Sequence, residues 1–297
     1  MLGPHWFGDG TMASRKMAGL LALALMLVAG SAVAGNAREA RQQAESSLRV
    51  SGSLVVGPDG EVVSHELDPK APLTPALKAF VDDSIRSWRF KPVLVDGKAV
   101  RAKVPMSLRL VAKRADEGKF SVAIASTYFG SKEDVPATDQ LRSIQLTPPR
   151  FPSGALAKGG KGVVYLVVQV GRDGKVMNVD AEQVNLRVAG TDGQMASLRK
   201  QFTDAAVRVA RGWTFAIPTT GPEANDATWL VRVPVDYRLD DERQRGNGWD
   251  TYIPGPRNFG MPWASEKLRM AGSPDALPDD GVFPLQQGAT LLNPAAS

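Results

Sequence analysis

The chain has 297 residues, no cysteine, two histidines and 43% hydrophobic residues, which is typical of a globular protein large enough for two modest domains. The absence of cysteine excludes thiol nucleophiles, cysteine-ligated metals and disulfides, and two histidines are too few for a histidine-rich metal centre. The net charge of +5 comes from 36 basic and 31 acidic residues mixed along the chain, so we expect no nucleic-acid partner.

Residues 1–34 have the pattern of a secretory signal. A short basic start precedes an apolar run and two small residues of a cleavage site, at Arg15, Lys16, Ala18–Val28, Ala32 and Ala34. We read the residues before Met12 as the artefact of an upstream start, because signal peptides rarely begin with a sequence such as Gly3-Pro4-His5-Trp6. We therefore expect a periplasmic protein exported by a Sec-type signal. Tethering to the inner membrane is the alternative if the leader is kept, although the run is shorter than the ~20 residues that span a bilayer comfortably.

The middle of the chain contains two segments in which the same signals follow one another in the same order. Each segment begins with two β-rich apolar runs around a Gly-x-Asp-Gly turn, at Gly57–Gly60 and at Gly171–Gly174. Asp-Gly between such runs is typical of a β-hairpin, because glycine adopts positive φ without steric cost. The sequence therefore predicts one hairpin at the start of each segment.

A helical stripe follows each hairpin. In the first segment Pro75 is suited to the first helical position. The apolar positions then recur with helical spacing in both segments, at Leu77, Val81, Ile85 and Trp88 and at Leu198, Phe202, Ala206, Val209 and Trp213. Both stripes end in Trp-x-Phe, and we expect the two tryptophans to be core residues.

Each segment closes with a strand that contains Val-Pro, at Lys103–Leu110 and Arg232–Leu239. The predicted fold class is α+β, with two ββαβ domains, each a three-stranded antiparallel sheet with one packed helix. The predicted boundaries are 47–111 for a degenerate first copy and 147–239 for the second. We expect residues 112–146 to be a linker with an added strand at Phe120–Phe129, and residues 240–297 to be a partly ordered Pro/Gly-rich tail with aromatic residues.

The second segment resembles the C-terminal domain of the TonB family. The resemblance rests on Pro149–Ala155, the hairpin, the amphipathic helix with its Trp-x-Phe end, and the Val-Pro-Val-x-Tyr strand. It covers Thr147–Leu239 and is weaker over Ser47–Val111, where the segment before the hairpin is absent. TonB is the periplasmic energy transducer of Gram-negative envelopes. The resemblance implies a small domain that binds outer-membrane transporters by pairing its last strand with an extended peptide.

The predicted binding site is the outer side of the last strand. Because proline cannot donate to a ladder, Pro105 and Pro234 predict that both final strands lie at sheet edges, and an open edge accepts a visiting strand. The alternative is that these prolines only protect the edges from aggregation. A third alternative is that the tail occupies the binding edge as a competitor. The candidate partner-binding residues are Val231, Arg232, Val233, Val235, Asp236, Tyr237, Arg238 and Leu239.

Two departures from TonB weaken the expectation of energy transduction. The apolar run Ala18–Val33 has no residue suited to a proton relay, and Gly35–Ser46 is a short polar lead rather than a long Pro-rich linker. We therefore expect a TonB-like interaction protein without its own motor link. The second hypothesis is a structural envelope protein whose domains pack against the tail and a homodimer mate, with no transporter partner.

The sequence predicts no enzyme. Ser197 and Lys200 have the Ser-x-x-Lys spacing of a nucleophile and its base, but they lie on the amphipathic helix and no companion motif is present. We therefore expect an exposed helix there. We also expect no catalytic residues, no metal, no cofactor and no small-molecule substrate.

Overall fold

The fold is α+β with antiparallel sheets, in a computed structural model that describes residues 44–95, 97–114, 120–130, 136–238, 248–285 and 288–293. The predicted secretory signal and Leu239 lie outside the described residues. In the part of the chain that is described, every helix is too short or too polar to cross a membrane.

The first sheet is built around a long central strand, which pairs with the next strand of its hairpin on one side and with the strand after the helix on the other. Thr74 caps that helix, since its hydroxyl accepts a hydrogen bond from the Leu77 N–H at 3.3 Å. The elements in order are β1 (Glu45–Val56), β2 (Val62–Leu67), α1 (Pro75–Arg86), β3 (Val93–Val95), β4 (Lys98–Val100), β5 (Ala102–Arg114) and β6 (Phe120–Phe129).

The prediction that the last strand of the first copy lies at an edge is wrong. Strand β6 pairs with β5 from Met106 to Arg114, so β5 is an interior strand. Pro105 is compatible with this position because it lies inside the β1–β5 ladder but just outside the β5–β6 ladder, where its carbonyl accepts a hydrogen bond from the Gly130 N–H at 2.9 Å. With a further short strand from the tail, the first sheet has five strands rather than the three predicted.

The second sheet has the same arrangement of hairpin, helix and returning strand. Its central strand pairs with its hairpin partner and with the strand that returns after the helix. Thr191 and Gln194 form a capping box at the start of the long helix. The elements are β7 (Arg142–Gln145), α2 (Ser153–Leu156), β8 (Gly162–Gly171), β9 (Val176–Leu186), α3 (Asp192–Ala210), β10 (Thr214–Ala216) and β11 (Thr228–Tyr237).

The tail adds strands to both sheets. Strand β12 (Asp250–Tyr252) pairs with the start of β1, and β13 (Phe283–Pro284) pairs with β11; between them lies the short helix α4 (Ser265–Met270). The strand order is β12-β1-β5-β6, with β2 also on β1, in the first sheet and β13-β11-β8-β9 in the second. The second sheet therefore has four strands instead of three, because a segment predicted to be a partly ordered tail supplies the fourth.

Each sheet packs one face against its own helix. Trp88 and Trp213 are only 1% and 3% exposed, as predicted for core residues. The indole N–H of Trp213 donates to the Thr147 carbonyl at 2.9 Å, which satisfies its polar atom inside the core. Beside it, the rings of Phe202 and Tyr237 stack at 4.5 Å and tie α3 to β11.

The hairpin turn of each sheet contacts the Trp-x-Phe segment that follows the helix. Gly60 and Gly174 both have positive φ, at 83° and 74°. Their carbonyls accept hydrogen bonds from Phe90 and Phe215, each at 2.8 Å. A Cβ at either glycine would lie within 2.3 Å of the facing phenylalanine carbonyl, so glycine is required for conformation and for space.

The other side of each Trp-x-Phe segment is also paired. Beside the second sheet, β10 pairs with β7 in a separate two-stranded sheet, and Phe215 lies opposite Ser143. In the first sheet, Phe90 instead forms an antiparallel bridge with Leu291, at the far end of the tail. The tail thus occupies, beside the first sheet, the place that β7 occupies beside the second.

Candidate protein-binding edge

Strand β11 is paired to very different extents on its two sides. On one side all ten residues pair with β8, from Thr228 opposite Gly171 to Tyr237 opposite Gly162. On the other side, within the described residues, the strand pairing is limited to β13, with Val231 opposite Pro284 and Arg232 opposite Phe283. In the described residues β13 is the edge strand and β11 is the second strand of the sheet. The alternative in which the tail occupies the binding edge is therefore the one observed, over two residues of β11.

The hydrogen bonds to the tail fix which backbone groups of β11 point outward. The Leu285 N–H donates to the Leu230 carbonyl at 2.9 Å, so the even-numbered residues of β11 direct their backbone groups away from β8. The missing N–H of Pro234 therefore lies on the outer side, where a proline interrupts no ladder of the sheet. The position of Pro234 is the one predicted from sequence for the second copy, although β13 of the tail occupies part of that side of β11.

The described candidate binding residues form one continuous strand, but their side chains are largely buried. The odd-numbered ones face α3 in the core, and Arg232 on the opposite face is 5% exposed. Main-chain groups, rather than these side chains, are therefore what the strand offers to a partner. The buried core members are Val231, Val233, Val235 and Tyr237, whereas Asp236 and Arg238 are half-buried in ion pairs, and Leu239 lies outside the described residues.

Arg232 is held by a buried ion pair. Its guanidinium donates two hydrogen bonds to the Glu182 carboxylate, at 2.7 and 2.9 Å, and Arg257 binds the same carboxylate. Burial lowers the pKa of the Arg232 guanidinium, although the Glu182 charge opposes this effect. Because the carboxylate is fully buried, the pair fixes the position of β11 relative to β9 directly beside β13.

The face of the second sheet opposite α3 is covered by the tail. Met261, Ala264 and Leu268 pack on Val167 and Leu230, and Leu285 joins this cluster from the side. We refer to Met261, Ala264 and Leu268 as the tail cluster. A further tail residue, Leu277, packs on Val163 and Tyr165. The tail therefore contributes a second layer to this face of the sheet, which leaves the side of β11 beyond β13 as the candidate site within the described residues.

The side chains of neighbouring tail residues at β13 pack on opposite faces of the second sheet. Val282 packs against the helix-side core, whereas the ring of Phe283 meets Tyr128 of β6 edge-to-face at 5.3 Å. Burial raises the pKa of the Tyr128 hydroxyl to about 12. The sequence analysis missed these residues as part of the site. The aromatic content of the tail was the one available signal that this segment packs against something.

A polar cavity of about 580 Å³ lies between the two sheets and is lined by both of them and by the tail. Arg49 of β1 binds Asp279 with two hydrogen bonds of 2.8 Å, and Arg238 binds the same carboxylate at 3.0 Å. Burial raises the pKa of Asp279, but the hydrogen bond and charge of Arg49 outweigh it, so the pKa lies well below its usual range. Asp279 thus links the first sheet to the end of β11.

A second carboxylate of the tail lies deeper in the same cavity. Asp275 accepts a hydrogen bond from Asn185 at 2.7 Å and lies 3.4 Å from Arg109 of β5. Burial raises the pKa of Asp275 above its ordinary value, although Arg109 and Asn185 oppose that shift. The tail therefore attaches both sheets to one another through two carboxylates with opposite pKa shifts.

The side chains that could suggest catalysis are engaged elsewhere. His65 pairs with Asp82 of α1 at 2.8 Å, and Lys78 binds the same carboxylate. Lys200 pairs with Asp204 at 2.7 Å on the exposed side of α3. Within the described ranges, no group of histidine, aspartate and glutamate side chains could hold a metal ion.

The comparisons with known proteins find one kind of relative. The chain is 31% identical over 107 residues to Protein TonB from two strains of Xanthomonas campestris pv. campestris, one of them strain B100. The match covers 36% of this chain and 42% of each relative, so it spans less than half of their length. No family profile matches the chain, and no solved structure matches it significantly. The similarity supports a TonB-like C-terminal domain.

Proposed function

We propose that this chain is a periplasmic TonB-like interaction protein. It binds an extended segment of an outer-membrane transporter or another envelope protein by strand addition to the outer side of β11. The observation that carries the proposal is the unequal pairing of β11, which is complete toward β8 and covers two residue pairs toward β13. The similarity to Protein TonB supports the same class of function.

Strand addition suits this edge physically. A visiting chain gains main-chain hydrogen bonds along β11, while its alternate side chains contact the two faces and give selectivity. The tail strand that it must displace is short, and each of its hydrogen bonds contributes only about 1 kcal/mol net. A partner strand longer than β13 would therefore form more hydrogen bonds with β11 than it displaces, which favours the exchange.

We propose further that the two sheets are tandem TonB-like units, of which the first is degenerate. Its last strand, β5, is covered by β6, so we assign the docking edge to the second unit. The proposal assigns the chain a binding role in transport at the envelope, with export by the N-terminal signal. It assigns no catalytic step and no metal, cofactor, nucleic acid or small-molecule substrate.

The proposal is tested by titrating the full chain with synthetic peptides from the N-terminal segments of outer-membrane transporters, followed by backbone amide NMR. Binding at the proposed edge shifts the amides of Leu230, Arg232 and Asp236 and releases Leu285. The amides of Val231 and Val233 should change less, because they point toward β8. Saturable binding that leaves β11 unperturbed would place the docking site elsewhere.

A second candidate function is a structural envelope protein with no transporter partner. It is favoured by the extent to which the chain covers its own surfaces, with β6 on β5, the tail cluster on the second sheet and β13 on β11. This candidate predicts that none of the transporter peptides binds, whether or not β13 is destabilised.

A further inference from the structure

Strand β13 is an extended peptide already seated on the proposed docking edge. It runs antiparallel to β11, with Phe283 opposite Arg232 and Pro284 opposite Val231. The Leu285 N–H completes the pairing by donating to Leu230 at 2.9 Å. The tail therefore shows the direction and register that this edge accepts.

The side chains of the seated segment divide between two surfaces, as the pleat of a strand requires. Phe283 contacts the Tyr128 ring at 5.3 Å, and Leu285 packs on the tail cluster. Both therefore lie on the face opposite α3, whereas Val282 reaches the helix-side core. An aromatic residue and an aliphatic residue two positions later are thus what this face of the edge holds.

Pro284 is compatible with pairing to β11 and also disfavours the addition of another strand on the outer side of β13. Because Leu285 bonds to Leu230, the neighbouring pair of Pro284 with Val231 is a non-hydrogen-bonded pair. The nitrogen of Pro284 then points away from β11, so proline costs no hydrogen bond at this place. It also leaves the outer side of β13 without one donor, which discourages a further strand.

We propose that Val282–Leu285 is an internal mimic of the partner's binding sequence. The partner that β11 accepts is an extended peptide that runs antiparallel to it and carries an aromatic residue two positions before an aliphatic residue. The tail segment competes for the same place and lowers the apparent affinity for the partner. This inference rests on the proposed function, because it defines the ligand of the same edge.

The test uses the full chain and a synthetic peptide with the sequence of residues 280–287. In the chain variant Leu285→Pro, the N–H that donates to the Leu230 carbonyl is lost, so the pairing of β13 with β11 is weakened. This variant should bind the peptide about tenfold more tightly than the wild-type chain, since one lost hydrogen bond corresponds to roughly that factor. The chain variant Pro284→Ala is the matched control and should bind as the wild type does. If L285P disturbs the fold, as judged by circular dichroism, the chain variant Phe283→Ala replaces it.

Three altered peptides separate sequence preference from mere strand addition. Alanine in place of Phe283 or of Leu285 in the peptide should weaken binding about tenfold, because each removes a packed side chain. Alanine in place of Pro284 should leave binding unchanged. Equal binding of all peptides overturns the inferred sequence preference and leaves strand addition standing. If neither these peptides nor the transporter peptides bind any variant, the proposed function fails together with this inference.

Discussion

Leu291, near the end of the described tail, forms an antiparallel bridge with Phe90 in the Trp-x-Phe segment of the first sheet. The Lys91 N–H donates to the Thr290 carbonyl at 2.8 Å, and Ala289 packs with Leu291 against the first core. Residues 289–291 of the tail therefore complete a core whose other residues lie about two hundred positions earlier in the sequence.

A chain that ends at Gly288 should lose this support in one sheet only. We expect the Lys91 amide to lose its protection from hydrogen exchange, because its acceptor is removed. The Phe215 amide, which bonds to Gly174, is the internal control and should keep its protection. Equal loss at both amides would mean that the truncation unfolds the chain globally.

The turn glycines give a second prediction. Replacing Gly60 or Gly174 by alanine puts a Cβ against the carbonyl of the facing phenylalanine and forces an L-residue into positive φ. Each variant should lose about 2–3 kcal/mol of unfolding free energy, as measured by urea denaturation. The Gly97→Ala variant is the matched control, since its positive φ is similar but its Cβ would meet no atom within 4 Å. A loss at Gly97 as large as at the other two would show that strain, rather than the close contact, decides the effect.

These glycines also show what the sequence could reveal. The Asp-Gly turns, both helical stripes and the tryptophan anchors follow from local periodicity, so they were predictable. The turn-to-Phe90 contact and the pairing of the first sheet with the tail depend on distant residues, and no local pattern encodes them. A proline in a strand was also an ambiguous signal, because Pro105 lies beyond the end of the β5–β6 ladder of an interior strand, whereas Pro234 lies in β11 with its nitrogen on the side away from β8. The candidate strand and the alternative that the tail covers it were both predicted, but no pattern identified Phe283 and Pro284 as the residues that pair with it.

The buried pair of Arg232 and Glu182 gives a third prediction. The variant Arg232→Met leaves a buried carboxylate with one partner fewer and should cost about 3–5 kcal/mol of unfolding free energy. The double variant E182M/R232M should be more stable than R232M alone, because it removes the carboxylate as well. If the double variant instead loses the sum of the unfolding free energies lost by the two single variants, measured by the same urea denaturation, Arg232 and Glu182 do not act as a buried ion pair.

The contributions of the two cavity carboxylates, Asp279 and Asp275, to the free energy of unfolding should change in opposite directions with pH. The folded-state pKa of Asp279 is lowered, so its stabilising effect is present above the unfolded value of about 4 and is lost as the pH falls. Asp279→Asn should therefore cost about 1 kcal/mol at pH 7, after allowance for solvent screening at a side chain that is one-third exposed, and less in acid.

Asp275 should behave in the other direction. Its raised folded-state pKa means that ionisation costs stability, and this cost disappears as the pH falls through the raised value. The wild type should therefore gain stability relative to Asp275→Asn as the pH is lowered from 7 to 4. Parallel trends for the two variants, in unfolding experiments extended from pH 7 to about pH 2 so that the range includes the loss of the Asp279 effect, would contradict the assigned environments.

The most direct measurement of the central claim is peptide binding to a chain whose tail strand can be locked on β11. The pair Val231 and Pro284 is non-hydrogen-bonded, a geometry in which Cα atoms lie about 4.5 Å apart and a disulfide can form. Since the chain has no cysteine, V231C/P284C contains a single engineered pair. Binding of transporter peptides should be lost on oxidation and restored on reduction, while the P284C single variant binds in both states. Unchanged binding in the oxidised double variant would show that the outer side of β11 is not the docking edge.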